Sequence, residues 1–253
     1  MNKKRAISIK DLTVSYHLQP VLWDIDLDIF SGSIMAIVGP NGAGKTTLLK
    51  SILNLIPKVS GEILFNDQKY QQIYKKIAYV PQRNTVDWNF PINVFEVVLM
   101  GRYGSLGWFK RPKKKDKQIT LEALKKVEML DLKERQISEL SGGQQQRVFL
   151  ARALAQQGNF YLMDEPFQGV DSKTEKAIMS VLKELKNQGK TVVVVHHDLN
   201  TVPLYFDYVT LLNVKKITSG LVKEVFTSEN IKKTYQFDFF KKFSSNPKEE
   251  LNK

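Results

Sequence analysis

The chain has 253 residues, of which 42 % are hydrophobic and 25 % charged, with no cysteine and a formal net charge of +12. These values exclude disulfides and thiolate metal sites, suit one compact domain or a domain with a subdomain rather than a disordered or collagen-like chain, and favour an anionic partner such as nucleic acid, a lipid surface or a nucleotide. No segment reaches the roughly 20 apolar residues of a bilayer span, and the start MNKKRAISIKD lacks the apolar stretch of a secretory signal, so the chain is expected inside the cell without an anchor of its own.

Residues 6–16 alternate apolar and polar positions as a strand does, and Ile25, Leu27 and Ile29 repeat that period of two. Ile34–Val38 is a short all-apolar strand of the kind covered on both faces. Leu48, Leu49, Ile52, Leu53 and Ile56 fall at helical spacing, with Pro57 as the stop. Strands are expected over 61–67 and Ile77–Val80. A helix is expected over 92–100, started near Asn89 or Pro91, then a glycine-rich charged loop over 101–117, then helix over 117–129. The stretch 94–138 is therefore mostly helical and sits between two α/β parts. Gly142–Ala155 is expected as a helix, 160–163 as a buried strand, 171–187 as a helix closed near Gly189, and Thr191–Val195 as a β-branched central strand. Residues 243–253 are expected to fray, while the aromatics Phe226, Tyr235, Phe237, Phe239, Phe240 and Phe243 argue that part of 223–253 is docked.

The run Gly39-Pro40-Asn41-Gly42-Ala43-Gly44-Lys45-Thr46, followed by Thr47, fits G-x-x-x-x-G-K-[ST] between a strand and a helix. Its glycines let the backbone turn its N–H groups inward, where a phosphate meets them and the positive helix end. Lys45 is expected to reach the β- and γ-phosphates and Thr46 to bind Mg²⁺. A lysine at a helix start is unfavourable unless an anion sits there. Downstream, Asp164 and Glu165 close a buried strand, at the sheet edge where ligands of open α/β folds collect. Asp164 is the expected partner of Mg²⁺ or its water, and Glu165 the group that polarises the attacking water.

Further motifs follow in a fixed order: Gln82 closing YVPQ, LSGGQQQR at 140–147, Gly169-Val170-Asp171, and Val195-His196-His197-Asp198. With the phosphate loop and the acid pair, these resemble the ATP-binding proteins of ABC transporters over residues 5–225. The resemblance implies an α/β P-loop NTPase, the ABC ATPase domain, with an antiparallel β subdomain and an inserted helical subdomain of approximately 92–158 within a nucleotide-binding domain of 5–240, followed by a flexible tail at 241–253. It implies a head-to-tail dimer with two ATP molecules at the seam. Ser141, Gly142, Gly143 and Gln144 would form the signature presented to the opposing subunit's ATP, although a plain helix cap also explains them. Tyr16 would stack on adenine, Gln82 would serve the Q-loop and help hold Mg²⁺, Asp171 would mark the D-loop, and His197 would contact the γ-phosphate. The role of His196 stays open.

Residues 81–108 (PQRNTVDWNFPINVFEVVLMGRYGSLGW) and 196–207 (HHDLNTVPLYFD) resemble the ATPases of manganese, zinc and iron importers. That implies an ATPase on the cytoplasmic face of the membrane, serving a separate permease and, through it, an extracellular binding protein. ATPases of siderophore and cobalamin importers are the second reading, and non-transport ABC proteins acting on nucleic acid or ribosomes the third. Trp88, Phe90, Phe95, Tyr103, Trp108 and Phe109 are divided between a groove for a permease helix and subdomain core. Lys110, Arg111, Lys113, Lys114 and Lys115 either meet lipid headgroups or form a solvated loop. With three histidines and no cysteine the chain has no soft-ligand site for a cargo metal, so Mg²⁺ with ATP is the only metal expected on it.

Overall fold

A computed structural model describes residues 4–16, 19–106 and 111–236. Strands β1 (Arg5–Ser15) and β2 (Pro20–Phe30) pair antiparallel, β3 (Ile34–Val38) leads into helix α1 (Lys45–Ile52), and β4 (Ser60–Phe65) returns to pair antiparallel with β1. After the short α2 (Tyr70–Ile73) and β5 (Ile77–Val80), helices α3 (Val94–Leu106), α4 (Lys114–Lys126) and α5 (Gly142–Ala155) pack on one another. Then come β6 (Phe160–Asp164), α6 (Ser172–Asn187), β7 (Thr191–Val195), α7 (Val202–Tyr205), β8 (Tyr208–Asn213), β9 (Lys215–Leu221), α8 (Val222–Val225) and α9 (Ser228–Gln236).

The strands form a three-stranded antiparallel sheet, β2-β1-β4, and a six-stranded sheet, β5-β6-β7-β3-β8-β9, parallel except for β9. Side chains alternate across the larger sheet, and both sides are covered. Ile34, Ala36 and Val38 of β3, with Val192 and Val194 of β7, join a core shared with α3, α4, α5 and α6. Met35, Ile37, Val193 and Val195 join a second core with α1 and the antiparallel sheet. Two-sided burial explains why these strands are apolar at every position.

Several expected boundaries move. Helix α1 ends at Ile52 rather than at Pro57, because Asn54 turns into the left-handed region (φ 53°). Helix α3 starts at Val94, capped by Asn93, whose Oδ1 accepts from the Glu96 N–H (2.8 Å) while Glu96 Oε2 accepts from the Asn93 N–H (3.2 Å). That reciprocal cap, not Asn89 or Pro91, sets the start. The loop expected over 101–117 is largely helix: α3 continues to Leu106 and α4 begins at Lys114. Position 101 is glycine because α5 crosses α3 there. A Cβ built there would lie 2.2 Å from the Arg152 carbonyl oxygen. Gly101→Val should therefore force α3 and α5 apart, and a urea titration should show a loss of about 1–3 kcal/mol.

The aromatics divide as the packing requires. Trp88 and Phe95 pack against the helical core, while Phe90 and Tyr103 are more than half exposed. Trp108, Phe109 and Lys110 lie outside the described residues, as do Phe237, Phe239, Phe240, Phe243 and the segment 241–253. No helix among the described residues is long and apolar enough to cross a membrane.

Candidate functional site

The sheet order brings three separated motifs to one edge. β7 lies between β3 and β6, and Val195 is level with Ile37 on one side and Asp164 on the other. The loop after β3, the acid pair after β6 and the histidine pair after β7 therefore emerge side by side, at the C-terminal ends of parallel strands.

The loop 39–44 turns into α1 through Gly44 at φ 89°. A side chain there would also meet Leu22 Cδ2 and the Val21 carbonyl oxygen at 2.7 Å, so only glycine fits. The same contact seats β2 against the loop. Tyr16, which directly follows β1, is half exposed. Helix α1 has no side-chain N-cap and no acidic residue in its first turn, which leaves its N-terminal N–H groups to an anion. Lys45 Nζ donates to the carbonyls of Gly39 and Pro40, each at 2.8 Å. Burial pulls the Lys45 ammonium below its usual pKa, against the opposing pull of Glu165 and Asp164. Thr47 is buried behind it.

Thr46 Oγ1 donates to Asp164 Oδ1 at 3.1 Å, bridging from the loop across β7 to β6. Burial raises the Asp164 pKa, with Glu165 adding to the shift and the Thr46 bond opposing it. Asp164 Oδ2 is buried without a hydrogen-bond partner. A hydroxyl beside a half-satisfied buried carboxylate is a donor set that fits Mg²⁺, which takes few protein oxygens and completes its shell with water and phosphate. Glu165 stands in the left-handed region at φ 50°, a strained conformation for a non-glycine residue. Its N–H donates to the Val195 carbonyl (3.2 Å), and its Oε2 accepts from Gln82 Nε2 at 2.9 Å. Gln82 is thereby tied to the acid pair.

The next residue, Arg83, was not legible as a functional position. Its Nε donates to Gln145 Oε1 of α5 at 3.1 Å, and its carbonyl accepts from Trp88 Nε1 at 2.9 Å, while Trp88 packs edge-on against Phe149. The segment after β5 and helix α5 are thus joined by side chains.

Ser141 caps α5: its Oγ accepts from the Gln144 N–H (3.4 Å), and Gln144 Oε1 accepts from the Ser141 N–H (2.9 Å). The cap reading thus stands as geometry. The same residues also line an open cleft of about 690 Å³, with Gly142, Gly143, Gly169, Asp171, and the basic Arg147 and Lys173. Asp171 Oδ1 accepts from the Thr174 N–H at 2.7 Å and so caps α6. Among the described residues, none of the groups bonded to Lys45 or Thr46 lines this cleft.

Of the two histidines, His197 is exposed and His196 is 2 % exposed. Among the described residues no cluster of three or more His, Cys, Asp or Glu side chains offers a metal centre.

A family model described as ABC transporter matches residues 22–168. The zinc transport system ATP-binding protein TroB of Treponema pallidum (strain Nichols) is 56 % identical over 230 residues, 91 % of this chain and 86 % of that protein. The manganese transport system ATP-binding protein MntB of Bacillus subtilis (strain 168) is 56 % identical over 229 residues, 90 % of this chain and 92 % of that protein. Among solved structures, an inward-facing putative metal-chelate type ABC transporter superposes with a TM-score of 0.81 at 31 % identity, over 91 % of this chain and 88 % of that one.

Proposed function

Because the chain belongs to the ABC transporter family, as one of its ATP-binding subunits, we propose that it hydrolyses ATP to power the import of a divalent transition metal (manganese, zinc or iron) through a separate membrane permease. The observation that carries this reading is identity above one half, over nine-tenths of the chain, to zinc and manganese transport ATPases. Residues 5–240 then act as one nucleotide-binding domain with a helical subdomain at about 92–158, peripheral on the cytoplasmic face. An extracellular binding protein would deliver the metal to the permease.

In this reading the backbone of Gly39, Pro40, Asn41, Gly42, Ala43 and Gly44 wraps the phosphates, and Lys45 exchanges its two loop carbonyls for phosphate oxygens. Thr46, Asp164 and Gln82 would hold Mg²⁺, which when bound neutralises phosphate charge. Tyr16 stacks on adenine. Glu165, held by Gln82, accepts a hydrogen bond from the attacking water. The water oxygen forms the new bond to the γ-phosphorus while its proton passes to Glu165, and the bond from phosphorus to the bridging oxygen breaks, so that this oxygen leaves with ADP. His197 would contact the γ-phosphate.

Ser141, Gly142, Gly143 and Gln144, with Asp171, face an open cleft lined by both acidic and basic side chains. That placement supports a head-to-tail homodimer, in which each signature covers the ATP of its partner. ATP would then draw the two chains together, and hydrolysis would release them.

The test is uptake of radioactive manganese, zinc and iron in cells deleted for this chain and for competing importers. The intact chain should restore one metal, and Glu165→Gln should restore none. No rescue of any metal, with rescue of siderophore or cobalamin uptake instead, would replace the metal reading with the second one.

A further inference from the structure

His196 is a buried titratable side chain that the hydrolytic scheme does not use. Its backbone N–H donates to the Ile37 carbonyl at 3.0 Å, extending the β7–β3 ladder by one step. Its Nε2 lies 2.7 Å from Thr201 Oγ1, and the Thr201 hydroxyl donates to the Asp198 carbonyl at 3.1 Å. A hydroxyl has one proton, so with that proton given to Asp198 the ring nitrogen is the donor. The turn that follows is closed locally as well, since the Asn200 N–H donates to Asp198 Oδ1 at 2.9 Å.

The other sides of the ring touch different elements. Phe167 packs edge-on at 5.5 Å between centroids, and Phe206 lies at 5.2 Å. Phe167 is two residues beyond Glu165, in a turn where the Gln168 N–H donates to the Glu165 carbonyl at 3.1 Å. One ring therefore touches the acid-bearing turn and, through Thr201, the turn that begins with His197. Burial, aided by neighbouring His197, pushes the ring's pKa down to about 4 against the pull of Asp198. It stays uncharged near neutrality.

We propose that His196 is a positioning residue, whose Nε2–H to Thr201 bond and contact with Phe167 hold His197 in register with Glu165 for hydrolysis. The proposal rests on the reading of Glu165 and His197 given above. A histidine that only fills space would behave differently: phenylalanine could replace it, with no selective effect on turnover.

The test is steady-state ATP hydrolysis by the full chain and by His196→Phe, His196→Gln, Thr201→Val, the double variant His196→Phe with Thr201→Val, and His197→Ala. His196→Phe and Thr201→Val should each lower kcat about tenfold with little change in the KM for ATP, as expected when reacting groups are misplaced but nucleotide contacts remain. The double variant should lose no more than Thr201→Val alone, because that substitution already removes the His196–Thr201 bond, together with the one from Thr201 to the Asp198 carbonyl. Glutamine can donate from a similar position, so His196→Gln should recover most of the activity. Thr201→Val keeps the side-chain shape and carries the test if His196→Phe does not fold.

If His197→Ala abolishes hydrolysis while Thr201→Val and His196→Gln stay at wild-type kcat and His196→Phe is equally active, the positioning role is overturned and the reading of His197 stands. Additive losses in the double variant overturn it too. Wild-type turnover in His197→Ala would overturn the reading of His197 itself, and the proposal with it.

Discussion

Replacing Glu165 by glutamine should lower kcat for ATP hydrolysis about 10²–10⁴-fold, the range of a lost general base, and leave nucleotide affinity intact. Geometry is why the two effects separate. Glutamine keeps the length of the side chain and an amide oxygen that can still accept from Gln82 Nε2, so the turn at φ 50° is not asked to change. What is lost is the group that draws a proton from water. No phosphate contact in the scheme runs through Glu165, and a negative charge near the γ-phosphate disappears, so binding should not weaken. Asp164 should also ionise more readily, because Glu165 is one of the causes that raise its pKa. Single-turnover hydrolysis and fluorescent-nucleotide titration measure the two quantities separately. A kcat within tenfold of wild type would remove Glu165 from the chemistry and shift attention to His197. Loss of binding instead would mean that the substitution disturbs the Thr46–Asp164 arrangement.

How much of this was legible in the sequence depends on whether a feature is local. Ile34–Val38, Ile77–Val80 and Thr191–Val195 have the expected strand bounds, because each is an apolar run closed by glycine, proline or histidine. The phosphate loop, the acid pair and LSGGQQQR are contiguous motifs, whereas the strand order that gathers the first two is seen only in the fold. β8 and β9 were not assigned. β9 is only partly buried along its whole length and lacks a clear alternation. The stretch 101–106 was misread because glycine signals a loop locally, whereas Gly101 answers to the crossing of α5, about fifty residues away. Arg83 with Gln145, and His196 with Phe167, are similar cases. Each is a pairing between distant segments, and no period or spacing in one sequence encodes it.

The same reasoning yields the largest expected loss of stability. Arg102 and Asp116 are 8 % and 6 % exposed and joined by Arg102 Nε to Asp116 Oδ1 at 3.1 Å. Arg102 Nη1 also donates to the Ala155 carbonyl at 2.7 Å and to Gln157 Oε1 at 3.2 Å, while Asp116 Oδ2 accepts from the Lys113 N–H at 3.0 Å. The pair thus ties α3, the start of α4 and the end of α5. Asp116→Ala leaves a buried guanidinium without its carboxylate and should cost about 3–5 kcal/mol. Arg102→Met with Asp116→Leu removes both charges and fills similar space, so it should recover part of that loss. Recovery should stop short of wild type, because the Ala155 carbonyl loses its donor, a deficit of about 1–3 kcal/mol. Urea unfolding of the two variants against wild type gives both numbers. Helix α5 also begins at the signature, so a loosened bundle should misplace Ser141 before the sheet unfolds. ATP binding at the phosphate loop should then survive concentrations of urea at which hydrolysis by Asp116→Ala is already lost. Loss of both at one midpoint would mean that bundle and sheet unfold as a single cooperative unit.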